Sequence, residues 1–154
     1  MLILLSPAKS LDFSDSAVKT HSVPEFLEDT DALIATLRKK SQDEVASLMH
    51  LSDKLAELNV GRYQEYQRPN TPGDTAKQAL LAFKGDVYRD WPLDSYEEAD
   101  FEYAQGRLRI LSGLYGALRP LDLIRPYRLE MGTRLTTDRG TNLYQFWGST
   151  ITEK

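Results

Sequence analysis

Ser6-Pro7-Ala8-Lys9 sets a serine and a lysine three residues apart, the S-x-x-K spacing at which an amine can take the proton of a serine nucleophile. Acyl-transfer enzymes that use it also carry SDN and KTG elements. Here Ser52-Asp53-Lys54 stands in place of the first and nothing resembles the second, so the spacing alone does not establish acyl-enzyme chemistry. A different use of the same residues makes Lys9 a base or anion anchor and Asp53 its orienting partner, because lysine shifts its pKa readily on burial. Lys84-Gly85-Asp86 is a third polar loop that could converge on them. For the SPAK loop the plain alternative is a capped turn whose lysine is solvated.

The second concentration of chemistry is LSGLYGALRPLDLIRPYRLEMGTRL, residues 111–135. Gly113 and Gly116 have the GxxG spacing that lets backbone N–H groups approach phosphates in some nucleic-acid modules. Arg119, Arg125 and Arg128 lie beside Tyr115 and Tyr127; the arginine fork suits bidentate phosphate contacts and tyrosine offers a stacking face. The competing reading has these arginines pairing with Asp122, Glu130 and upstream acids to pin an irregular segment. Seven of the eleven arginines fall between Arg107 and Arg139, against Asp122, Glu130 and Asp138, a local balance of 7 − 3 = +4 within a chain of net charge −4. A positive local field is compatible with that overall charge, although bulk coating of nucleic acid is not favoured by it.

Other chemistries find little support. His21 and His50 are the only histidines and have no metal-ligand spacing, so no protein-held metal is expected. The absence of cysteine excludes disulfides, thiolate metal sites and thiol redox chemistry. No Walker loop or GxGxxG follows a strand, and no cofactor is implied. The longest aliphatic run, Leu2 to Leu5, is far too short to span a membrane, and no secretory leader is read. A cytoplasmic protein is the expectation.

The 154 residues, 41% hydrophobic and 27% charged, are one domain's worth of ordinary globular composition. MLILL predicts a short strand covered on both faces, ended by the SPAK loop. Ser22 and Pro24 read as N-cap and first residue of a helix to Lys40, and Ser41-Gln42-Asp43-Glu44 as a capping box opening a helix to His50. Ser52 caps the next, with Leu55, Leu58 and Tyr63 inward, until RPNTPGD breaks the pattern. A fourth helix is predicted over Thr75 to Phe83, and a fifth from Tyr96 to Leu111, whose apolar stripe continues to Leu118. Arg128 to Leu135 reads as a strand, and Leu143 to Trp147 opens an element before the chain stops at Lys154. That unclosed ending predicts a portion of something longer.

MLILLSPAKSLDF, LSDKLAELN, LLAFKGDVY, RLRILSGLYGALRPLDLIRPYRLEMG and NLYQFWGSTIT, in this order over essentially the whole chain, resemble the N-terminal part of the YaaA peroxide stress protein family. The resemblance implies a mixed α/β fold particular to that family, helix-rich around a small sheet and incomplete here. The chain would be a single domain, or the first portion of a longer one cut near residue 154. It further implies a cytoplasmic bacterial protein, taken here as monomeric, that limits hydrogen peroxide damage by lowering free intracellular iron. Double-stranded DNA would bind in a positively charged cleft with a helix-hairpin-helix-like element. Carried over by motif, the matching polar positions are Ser6, Lys9, Ser52, Asp53, Lys54, Lys84, Asp86, Arg119, Arg125 and Arg128. Of these Lys9, Lys54, Lys84, Arg119, Arg125 and Arg128 would face nucleic acid, with Gly113 and Gly116 offering backbone N–H groups. The alternative is an enzyme on a small anionic or nucleic-acid substrate, with Lys9 and Asp53 as catalytic candidates.

Overall fold

The computed structural model describes residues 1–72 and 75–153. Gly73 and Asp74 of the RPNTPGD break, and Lys154, lie outside the described residues. The fold is mixed α/β, with six helices and three small sheets among the described residues. Chain contacts divide it into two units: Met1–Glu25, Arg68–Leu111 and Ala117–Pro126 in the first, and Phe26–Gln67, Ser112–Gly116 and Tyr127–Lys154 in the second.

Strand β1 (Ile3–Leu5) pairs in parallel with β5 (Leu108–Ser112), Ile3 opposite Leu108 and Leu5 opposite Ile110. The sheet is completed by β6 (Gly116–Leu118) in the order β1-β5-β6. The central strand is therefore β5, not β1. The expectation of a β1 covered on both faces is corrected: Leu2 and Leu4 are more than half exposed, because β1 occupies one end of the strand order. Also corrected is the long helix to Leu111. Helix α5 (Glu98–Gln105) ends at Gly106, and the following residues take up a strand whose buried positions are Leu108, Ile110 and Ser112. Leu108 and Leu111 fit a helical stripe, but Leu108, Ile110 and Ser112 fit the two-residue strand period equally, and pairing with β1 decides between them.

The predicted fourth helix shrinks for the same reason. Only α4 (Ala79–Ala82) is helical; β3 (Lys77–Gln78) before it pairs with β7 (Leu123–Ile124), and β4 (Phe83–Lys84) after it pairs with β2 (Ser10–Leu11). Backbone partners distant in sequence outcompete a helix too short to stabilise itself.

The second unit is helical. Helices α1 (Leu27–Arg38) and α2 (Gln42–Met49) both pack on α3 (Asp53–Glu65). The capping box at Ser41 and Glu44 and the Ser52 cap form as read, each serine oxygen accepting a backbone N–H. Ser22 does not cap α1. That helix starts at Leu27, and the Ser22 hydroxyl donates to Asp122 instead. On α3 the buried face is Ala56, Asn59 and Tyr63, while Leu55 and Leu58 are exposed, so the stripe is rotated by one residue from the expected one. The strand expected over Arg128 to Leu135 is an irregular segment. Helix α6 (Leu143–Trp147), capped by Asn142, buries Leu143, Phe146 and Trp147.

Candidate functional site

Two of the polar loops meet in the first unit. Strand β2 follows the SPAK loop and β4 precedes Gly85, so antiparallel pairing sets Ser10 opposite Lys84. Gly85 then packs on Ala8: a Cβ at Gly85 would stand 3.2 Å from the Ala8 Cβ, a close approach that favours glycine. The Tyr88 hydroxyl donates to the Ser6 carbonyl at 2.6 Å and ties down the other end of the loop. Lys9 and Lys84 are thereby carried on adjoining segments, both exposed, with the Lys84 ammonium 3.9 Å from Asp12. Hydrogen bonds from Ser14 hold the Asp12 carboxyl below its ordinary range, so it is a carboxylate at neutral pH. Asp86 is ion-paired with Arg89 at 2.7 Å on the surface.

Arg119 sits in a different environment. Its Nε and Nη2 reach Asp122 Oδ1 at 3.1 and 2.9 Å, Nη2 also donates to the Val23 carbonyl at 2.8 Å, and Nη1 lies 3.6 Å from Glu25. Asp122 is fully buried and accepts in addition from the Ser22 hydroxyl at 2.6 Å and the Arg119 backbone N–H at 2.8 Å. Gln105 extends the network, donating to the Ser22 Oγ and accepting from the Leu121 N–H. Charge-assisted bonds of this kind fix a turn. Arg125, in the same unit, is half-buried.

In the second unit, Ser52 is the N-cap of α3, and Asp53 and Lys54 open its first turn as exposed side chains. The Arg128 carbonyl accepts from the Tyr63 hydroxyl at 2.7 Å, and its guanidinium lies 3.8 Å from Glu130. Arg128 Nε is buried without a hydrogen-bond partner among the described residues. Gly113 and Gly116 are both buried. A Cβ on Gly113 would overlap the Leu129 carbonyl oxygen, and one on Gly116, where φ is +79°, would fall 2.9 Å from the Trp147 ring. Packing thus accounts for both glycines.

Tyr127 is buried edge-on to Tyr115, its hydroxyl 2.7 Å from Ser112 Oγ. Burial pushes its pKa up to about 12. The unfolded chain releases this proton near pH 10 while the fold keeps it, so its contribution is intact below pH 10 and lost as pH rises toward 12. Urea unfolding across that window is expected to show a loss approaching about 3 kcal/mol from this group. Tyr127→Phe should remove that component of the alkaline slope at a cost of about 1 kcal/mol at neutral pH. An identical slope in the variant would refute the assignment.

Sequence reasoning missed Lys77. Read as one polar position on a helix it carries no signal, but β3 buries it, leaving 8% of its surface exposed. Desolvation lowers its pKa, and nearby Lys84 acts the same way against the opposing pull of Asp12 and Asp15. Gln105 is equally silent, and Ser22 reads only as a helix cap, since a buried network between them needs long-range contacts to be seen. Among the described residues no group of three or more His, Asp or Glu side chains is placed to hold a metal ion, and no helix is long and apolar enough to cross a membrane.

A family model described as peroxide stress protein YaaA matches residues 1–154. A UPF0246 protein of Aromatoleum aromaticum is 58% identical over 154 residues, a match covering 99% of this chain and 59% of that relative. The chain thus spans about three fifths of the curated relative's length.

Proposed function

We propose a role from the premise that the chain belongs to the YaaA peroxide stress protein family: it protects cells from peroxide by binding double-stranded DNA through basic side chains. The observation that carries the reading is the joining of Lys9 and Lys84 on adjoining segments, exposed and held by backbone pairing. Lysines fixed in this way act as point charges for phosphates. Lys54 at the start of α3, Arg128 and Arg125 are assigned to the same function. Arg119 supports it indirectly, by pinning the turn between β6 and β7 through Asp122. The cytoplasm is the compartment this role requires. Limitation of free intracellular iron is included in the proposal as an indirect consequence of protection.

The test is a salt titration of duplex binding. Removing one phosphate-neutralising side chain flattens the slope of log K against log salt by about 0.9. Lys9→Ala with Lys84→Ala should therefore reduce the slope by about 1.8 and weaken binding at low salt, with the thermal midpoint unchanged because both side chains are exposed. A double variant with the parental slope would overturn the assignment of these two lysines.

A further inference from the structure

In the first unit three aromatic rings form a ladder that ends at a cleft. Phe83 and Tyr88 stack with centroids 5.7 Å apart at an interplanar angle of 29°, and Tyr88 and Trp91 with centroids 6.4 Å apart at 16°. Phe83 and Tyr88 are buried, whereas Trp91 is half-buried and keeps accessible surface at the end of the ladder. Two of the rings are held in orientation: the Tyr88 hydroxyl donates to the Ser6 carbonyl at 2.6 Å, and the Trp91 indole N–H donates to the Tyr96 hydroxyl at 2.6 Å. Rings fixed before a ligand arrives offer a stacking surface at little entropic cost. Trp91 lines a cleft of about 480 Å³ with Ser10, Lys84, Tyr88, Arg89 and Asp94, a volume in the range of small-ligand sites. Lys84 and Arg89 bring two cations to it against the one Asp94 carboxylate. Their partners, Asp12 at 3.9 Å from Lys84 and Asp86 at 2.7 Å from Arg89, form exposed pairs, which hold little energy and yield to a doubly charged phosphate. Trp91 also borders a second cleft, of about 490 Å³, with Met1, Ile3, Tyr103, Arg107 and Leu108. There the Arg107 guanidinium lies over the Tyr103 ring, 3.8 Å from its centroid, so the two side-chain cations placed for a phosphate are on the Lys84 side.

We propose that the Lys84 cleft is a nucleotide site: a guanine base extends the ring ladder on Trp91, Lys84 and Arg89 hold its phosphate, and Asp94 accepts from the ring N–H and the amino group of the base. Stacking supplies affinity without choosing among bases, since every base has a π face. The carboxylate makes the choice. Guanine presents two neighbouring donors that match the two oxygens of Asp94, whereas uracil flanks its single N–H with carbonyls that repel them. The inference goes beyond phosphate contact by Lys9 and Lys84, because it adds the base and requires no duplex. The same chemistry is carried by free guanosine monophosphate and by a guanosine nucleotide standing out of a DNA helix.

The 154-residue chain holds two tryptophans. Trp147 is buried with its N–H on the Gly113 carbonyl, so a ligand entering the cleft is read by Trp91 emission. Guanosine monophosphate, guanosine, uridine monophosphate and inorganic phosphate are titrated separately at neutral pH, with equilibrium dialysis of isotopically labelled guanosine monophosphate alongside. Guanosine monophosphate is expected to quench Trp91 saturably, guanosine and uridine monophosphate to bind about tenfold more weakly, and phosphate alone to leave the emission unchanged. Trp91→Phe should lose the quench and keep binding in dialysis. Trp91→Ala should weaken that binding about tenfold or more, the worth of one stacked base. Arg89→Gln should narrow the gap between guanosine monophosphate and guanosine, Asp94→Asn the gap between the guanosine and uridine nucleotides, and Arg107→Gln neither. If Trp91→Ala does not fold, the parental quench and the Arg89 and Asp94 variants decide. Quenching by the free nucleotide alone assigns a small-molecule source; quenching by a duplex with one unpaired guanine, above that by an intact duplex, assigns DNA. No Trp91 quenching in any arm up to about 1 mM nucleotide, or dialysis binding unaffected by Trp91→Ala, overturns the proposal, while the salt slope of intact-duplex binding reports separately on Lys9 and Lys84.

Discussion

Asp122→Ala is expected to destabilise the protein by about 3–5 kcal/mol, the range for removing one partner of a buried ion pair. The carboxylate is wholly buried and accepts from four groups: the Arg119 backbone N–H, its Nε and Nη2, and the Ser22 hydroxyl. Without it, the guanidinium keeps, among the described residues, the Val23 carbonyl and a Glu25 oxygen 3.6 Å away. The Ser22 segment loosens as well, since its backbone bonds to Leu121 and Leu123 run alongside the Ser22–Asp122 bond. Urea unfolding with an unchanged m-value is the measurement. Arg119→Ala should cost less, about 1–3 kcal/mol, because Asp122 retains the Ser22 hydroxyl and the backbone N–H. A double-mutant cycle should return a positive coupling between the two positions. A loss below about 1 kcal/mol for Asp122→Ala would show that the turn holds without its charge network.

That outcome governs how arginine substitutions in this segment are read. Weakened DNA binding by an Arg119 variant would report a displaced turn, whereas the Lys9 and Lys84 pair tests phosphate contact directly. The sequence left anion grip and pinned turn open for Arg119, and the Asp122 geometry now supplies the second with specific partners.

Legibility followed the range of the interactions involved. The Ser41 to Glu44 capping box and the Ser52 cap are closed within three residues, so their sequence signals and their geometry coincide. The segment from Lys77 to Phe83 reads as helix because its strand partners, Ile124 and Leu11, are more than forty residues away. Leu108 to Ser112 satisfied two periods at once, and only β1 decides for strand. The same divide runs through the candidate site. Lys9 and Lys84 are visible as motif residues, while Lys77 becomes notable only once β3 buries it. Family membership was legible because its motifs are long and in order, a property that does not depend on contacts.

Gly113 sets the sharpest limit on the second unit. A side chain there meets backbone, overlapping the Leu129 carbonyl oxygen and standing 3.0 Å from the Glu130 carbonyl carbon. Backbone cannot rotate aside as a side-chain tip does, and the Gly113 carbonyl is itself held by the Trp147 indole N–H at 3.0 Å. Gly113→Ala must therefore separate the Ser112–Gly116 segment from the segment carrying Leu129, and the expected loss is about 3 kcal/mol or more. Leu114 and Tyr115, both fully buried, would be displaced with it. Gly132→Ala is the matched control in the same unit, with nothing within 4 Å of the added methyl. It should be neutral or stabilising by up to about 1 kcal/mol, because alanine restricts the unfolded chain. Thermal unfolding of the two variants side by side separates steric exclusion from a general sensitivity of this unit to glycine replacement. Equal midpoints would mean that the Leu129 segment yields at little cost, and the buried glycine would then need another explanation.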